Sequence, residues 1–210
     1  MEWPSLKRPI KASKQLIVEG RTPEIFFWSW VKAIGLDDQI EVRDFGSIND
    51  LPAFLRLFTG YKEFKENVKS LGIIRDSETG SPQSALQAVC AALKSVGLRC
   101  PERLADFTTE IPRTGVFILP DCQQAGMLET LCWSVLEHDP KSKPQLDCVK
   151  AYTECLRGAG TTIRNEAKAK VWAYLAGTFH DPQVGRAAQC NVWDWTSPVF
   201  QPLTQFLRAL

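Results

Sequence analysis

Four short apolar runs punctuate the chain, and longer stretches with apolar residues at helical spacing separate them. The first run, Gln15, Leu16, Ile17 and Val18, reads as a buried strand that ends at Glu19 and Gly20, where glycine permits a sharp exit. Thr22, Pro23 and Glu24 then offer an N-cap, a proline for the first helical position and an acid for the first turn. Residues 25–34, rich in Phe and Trp, predict a heavily buried helix stopped by Gly35. Residues 40–45 alternate as a strand does, Ser47 to Asp50 supply cap residues, and residues 51–58 predict a second helix. The third strand is the clearest, residues 68–75 closing on Asp76. Ser81 and Pro82 open a helix to about residue 96, residues 115–120 form a fourth strand, and residues 127–136 return to helical spacing. Beyond residue 140 the pattern is helical throughout, over 146–156, 165–175 and 199–210.

Strands alternating with helices imply βαβ units, hence a parallel sheet covered on both faces. The expected fold is α/β, with a Rossmann-like parallel four-stranded sheet flanked by helices and a helical C-terminal extension. By this reading residues 1–14 are a basic arm, with disorder expected only over the first dozen residues. Residues 15–140 form the α/β core, and 141–210 pack on it.

Composition narrows the field. With 210 residues, 44% of them hydrophobic, the chain can bury one sizeable core, and its net charge of +1 advertises no bulk nucleic-acid binder. Local basic groups suffice for phosphate contact, and two are visible: Lys7, Arg8, Lys11 and Lys14, then Arg164, Lys168 and Lys170. No apolar run follows the N-terminal charges, so no secretory leader is expected, and no stretch of about eighteen uncharged apolar residues suggests a membrane span. Seven cysteines, odd in number and without a CxxC pair, argue against a disulfide framework and a zinc site. Cys90, Cys132 and Cys155 read as core residues, and a reducing, cytoplasmic setting follows. The seven tryptophans read mostly as core, Trp28, Trp30, Trp133 and Trp172 among them; Trp193 and Trp195 are the candidates for exposure, although packing of the tail is favoured. No Walker lysine loop, no GxGxxG and no GxSxG elbow is present, and neither His138 nor His180 neighbours a nucleophile.

The chemistry-bearing feature is acidic. In open parallel sheets, ligands bind beyond the carboxyl ends of the strands, where strand order reverses. Glu19 follows the first strand and Asp76 the third, so neighbouring strands would bring the two carboxylates together, with Glu78 in reach from the turn. Three carboxylates without a counter-charge raise one another's pKa, and a hard divalent cation such as Mg²⁺ or Mn²⁺ removes the conflict.

Leu16, Ile17, Val18, Glu19 and Gly20, with Asp76, Ser77 and Glu78 closing a later strand, resemble the Toprim fold of primases, type IA and type II topoisomerases and certain nucleases. The chain is most similar to a Toprim-related bacterial family sharing its stretches 70–76, 118–120 and 126–129. The resemblance implies acid/base work for Glu19 and Mg²⁺ binding by Asp76 and Glu78, although Glu78 stands where Asp is commoner. Similarity to nucleases of the overcoming-lysogenisation-defect type implies a further acid, matched by Glu129, and a base supplied by Lys168 or Lys170. The expected activity is therefore Mg²⁺-dependent phosphodiester chemistry, a nuclease on DNA or RNA, with Lys11, Lys168 and Lys170 contacting nucleic acid. The alternative is a non-catalytic interaction module in a defence or toxin–antitoxin system. A homodimer and a protein partner stay open, and no membrane association is expected.

Overall fold

The computed structural model describes residues 3–210. Its sheet has four strands: β1 (Lys14–Val18), β2 (Ile40–Asp44), β3 (Ser70–Asp76) and β4 (Arg113–Leu119). All pairings are parallel, in the order β2-β1-β3-β4. The chain moves one way from β1 to β2, then returns past β1 to lay β3 on its other side. The reversal of strand order therefore falls between β1 and β3, and the expected parallel α/β sheet and its β1–β3 adjacency are both present.

Helices cover both faces. α1 (Arg21–Ala33), α5 (Leu128–His138), α6 (Lys143–Gly158), α7 (Glu166–Thr178), α8 (Val184–Gln189) and α9 (Gln201–Ala209) share one core with Leu16, Val18, Ile74 and Phe117 of the strands. α2 (Leu51–Gly60), α3 (Lys62–Asn67) and α4 (Pro82–Ser95) bury the opposite face with Ile17, Leu71, Ile73, Val116 and Ile118. Alternate strand residues thus enter opposite cores, as the period of two requires. The C-terminal helices belong to the first of these cores: Phe206 packs on Phe117 at 5.5 Å between ring centroids, and Phe200 lies 4.4 Å from Trp30. Each of these rings buries a large apolar surface, so together they fasten the C-terminal helices to the sheet and to α1.

The structure corrects several expectations. The N-terminal arm is docked over residues 3–12: Trp3 Nε1 donates to the Phe45 carbonyl at 2.9 Å, and Ser5 Oγ to the Asp44 carbonyl at 2.6 Å. Buried Arg43 completes the clasp, donating to the Ser5, Arg8 and Pro9 carbonyls and to Glu41. An arginine buried there must find partners for its donors, since a buried guanidinium without them is costly, and it divides them between the arm and the Gln15 and Glu41 side chains of β1 and β2. Cys90 and Cys100 form a disulfide, Cα–Cα 5.2 Å, because the chain reverses after α4 and returns past it. Cys155 is exposed rather than core, whereas Cys132 is buried as expected. Trp28 and Trp172 are about half exposed rather than core, while Trp193 is buried and Trp195 packs against Trp30, in keeping with the favoured packing of the tail. Helix α1 starts from Gly20 rather than from a Thr22 cap.

Helix α8 lies against the first turn of α1 through Gly185, where a Cβ would come 2.8 Å from the Thr22 carbonyl oxygen. Backbone cannot yield as a flexible side chain would. Gly185→Ala is therefore expected to destabilise the fold by about 1–3 kcal/mol, the usual cost of overpacking. Denaturant melts check it, and an unchanged midpoint would show that α8 is free to move away.

Candidate active site

The site begins with the turn after β3. Ser77 is buried, and its Oγ accepts the Gly126 N–H at 2.9 Å; the Glu78 N–H donates to the Gly126 carbonyl at 2.8 Å. These bonds lace the end of β3 to the start of α5, which lies some fifty positions further along the chain. Gly126 is needed at that crossing, since a Cβ would sit 2.9 Å from both Pro120 and Thr130. The Leu128 N–H then donates to Asp76 Oδ1 at 3.0 Å. It is one of the donors that a helix N-terminus leaves unpaired, so Asp76 both ends β3 and anchors α5.

The same lacing delivers Glu129 to Asp76. Together with Glu19 and Lys168 they line a cleft of about 200 Å³ at the carboxyl edge of the sheet, over the β1–β3 switch point. Thr22 of α1, Val184 of α8 and Trp172 of α7 form further parts of its wall. Glu129 is only 7% exposed, and among the described residues its carboxylate has no ion pair and accepts only its own backbone N–H.

Electrostatics separate the three acids. Burial, reinforced by the negative charges of Glu129 and Glu19, pushes Asp76 up to about 7, against the pull of the Leu128 N–H and Lys168. Glu129 is raised by burial and restrained by Lys168. Glu19 is raised by burial too, but Arg75 and the Ile48 N–H oppose the rise. Glu19 Oε2 lies 3.3 Å from Arg75 Nε in an ion pair that lacks the alignment of a hydrogen bond, and Glu19 Oε1 accepts from Ile48 N–H at 2.9 Å. The expected picture of three acids without a counter-charge is thus corrected: Arg75 and Lys168 attend them. Arg75 escapes a reading of the sequence because its partnership depends on register. Val18 pairs with Ile74, so the next residues, Glu19 just past the end of β1 and Arg75 still within β3, stand side by side.

The predicted site residues divide. Glu19, Asp76, Glu129 and Lys168 share the cleft. Glu78 does not line it; it is exposed, with backbone in the left-handed region at φ 53°, and acts on Glu19 only through its charge. Lys170 points to another face of α7, paired with Glu166 at 2.6 Å and lying over the Trp133 ring at 5.5 Å. Lys11 stands before β1, its N–H bonded to Glu41 at the start of β2, so it is at the opposite edge of the sheet. A run of basic residues in sequence does not survive as one patch when a strand or half a helical turn separates its members.

A protein-family model described as a protein of unknown function, DUF3226, matches residues 13–210. The chain belongs to this family. The match begins one residue before β1 and runs through α9, so it takes in every residue of the cleft and the C-terminal helices, and leaves out the arm clasped by Arg43. Neither the curated proteins nor the solved structures yield a match.

Whether these residues suit a divalent cation can be judged from the donors. Among the described residues no group of three or more His, Cys, Asp or Glu side chains is arranged to hold a metal ion. Mg²⁺, however, is commonly held by one or two carboxylates and keeps several waters. Asp76 and Glu129 offer that smaller set: two hard oxygen donors whose pKa values burial raises, Asp76 further by the Glu129 charge, with Glu129 buried and unpaired. The chemistry of the donors fits.

Proposed function

We propose that the cleft carries out Mg²⁺- or Mn²⁺-dependent phosphodiester hydrolysis on nucleic acid, in the manner of a Toprim-type nuclease. The reading rests on one observation: three carboxyls from the ends of β1 and β3 and the first turn of α5 meet one lysine in one cleft, and two of them are held there at a cost in charge. Asp76 and Glu129 would hold the cation, with Glu129 taking the place that the linear motif gave to Glu78. When bound, the cation supplies charge for a phosphoryl oxygen and relieves the repulsion between the two acids. Glu19, held by Ile48 and Arg75, accepts the proton of the attacking water as the new P–O bond forms and the ester P–O bond breaks. Lys168, close enough to act on both Asp76 and Glu129, meets the phosphate.

One observation favours a second reading, a non-catalytic Toprim-like interaction module. Asp76 already has a structural task in holding the α5 N-terminus, and Arg75 already balances Glu19. The decisive assay offers the purified protein single- and double-stranded DNA and RNA with Mg²⁺ or Mn²⁺. Cation-dependent cleavage that falls steeply with salt is expected, since phosphate contacts release counterions. Absence of cleavage on every substrate moves the conclusion to the second reading.

A further inference from the structure

Trp172 has no structural employment that accounts for its position. It lies one helical turn beyond Lys168 on α7, so the two side chains share a face, and both line the acidic cleft. Its side chain is 49% exposed. Trp28, exposed to a similar degree, carries the Lys32 ammonium 5.5 Å from its ring centroid, and the buried Trp133 carries those of Lys150 and Lys170. Among the described residues no ring or cation covers Trp172. In the same cleft, the unpaired Glu129, only 7% exposed, marks a place built for a ligand rather than an incidental group of acids.

We infer that Trp172 is a stacking platform for an unpaired base, so that the cleft takes single-stranded nucleic acid with a phosphate at Lys168 and the adjoining base on the indole. This rests on the phosphodiester reading and adds its substrate class. Stacking on an aromatic ring needs a free base face, and every base face offers a π surface whatever the sequence. Inside a duplex both faces are covered by neighbouring pairs, so an internal base pair cannot use Trp172. A cleft of about 200 Å³ has room for a phosphate and its counter-charges, which leaves the base at the rim where the indole stands.

The test is binding of labelled, cleavage-resistant phosphorothioate DNA in Mg²⁺ buffer, as a single strand and as a blunt duplex of the same sequence. Trp172→Ala is expected to weaken single-strand binding by about tenfold or more while leaving the duplex within about twofold. Trp172→Phe keeps a ring and is expected to retain most of the affinity, while losing part of the tryptophan quenching that the single strand causes in the wild type. Equal affinities of Trp172→Ala and wild type for the single strand overturn the inference. So do equal losses on both ligands, or a wild type that binds neither. Because binding is read without turnover, the two conclusions can fail separately. A protein that cleaves nothing but binds single strands through Trp172 loses the nuclease reading and keeps the platform. One whose cleavage depends on Glu19 but whose Trp172→Ala variant binds normally loses only the platform.

Discussion

Asp76→Asn is expected to make the metal-free protein more stable at pH 8 and to flatten its stability between about pH 4 and pH 7. Asp76 is pushed from its ordinary 3.8 up to about 7 by burial first and by Glu129 next. The folded state therefore holds this proton more tightly than the unfolded chain does. Unfolding between the two pKa values releases a proton, so raising the pH favours unfolding. Stability is lost as pH climbs through that window and stays lost above it. A displacement of about 3 units at about 1.4 kcal/mol each corresponds to up to about 4 kcal/mol, an order-of-magnitude figure for a single buried carboxyl. Asparagine keeps an oxygen for the Leu128 N–H, so the α5 anchor survives while the charge does not. Thermal melts across pH, with and without Mg²⁺, read the outcome. Mg²⁺ should restore wild-type stability at pH 8 and do much less for the variant. Superimposable profiles for the two proteins would show that Asp76 neither carries the strained charge nor helps to hold a cation.

Glu19→Gln is expected to lower cation-dependent cleavage by a hundredfold or more, with single-strand binding preserved. Loss of a positioned general base typically costs that much. Gln is close in shape, and its single amide oxygen can still accept from Ile48 N–H, while its NH2 takes the place of the oxygen that faces Arg75, so the variant removes proton acceptance and keeps only one of the two contacts. Arg75, 11% exposed, does lose its balancing charge, and a modest drop in melting temperature should accompany the catalytic loss. That drop separates the two roles: a variant that is destabilised yet cleaves at the wild-type rate would leave Glu19 as Arg75's structural partner alone.

The residues of the site differ in how legible they are along the chain. Glu19 and Asp76 can be placed from the sequence itself, because each follows an unmistakable apolar run and parallel winding brings strand ends to one edge. Glu129 is harder: its residue type and the preceding Gly126 hint at it, but only the bonds from Ser77 and Glu78 to Gly126 bring α5 against β3. Trp172 reads as core from its spacing, because helical periodicity alone does not say which neighbour covers a face. The Cys90–Cys100 pair escapes a count of cysteines because it depends on the chain doubling back after α4.

What the amino-acid order determined by itself was local and periodic. Apolar runs of four to seven residues made strands, apolar residues three and four apart made helices, and their alternation required a parallel sheet buried on both faces. The hydrophobic effect acts on such patterns wherever the partner surface comes from, so they can be read without knowing it. Charge and chemistry are different, because they depend on distance. Whether Lys168 or Lys170 faces the acids, whether Glu78 or Glu129 joins Asp76, and whether Arg75 answers Glu19 are settled by register, by half a helical turn, and by a handful of hydrogen bonds between segments far apart in the chain. Only the packed tertiary structure decided those.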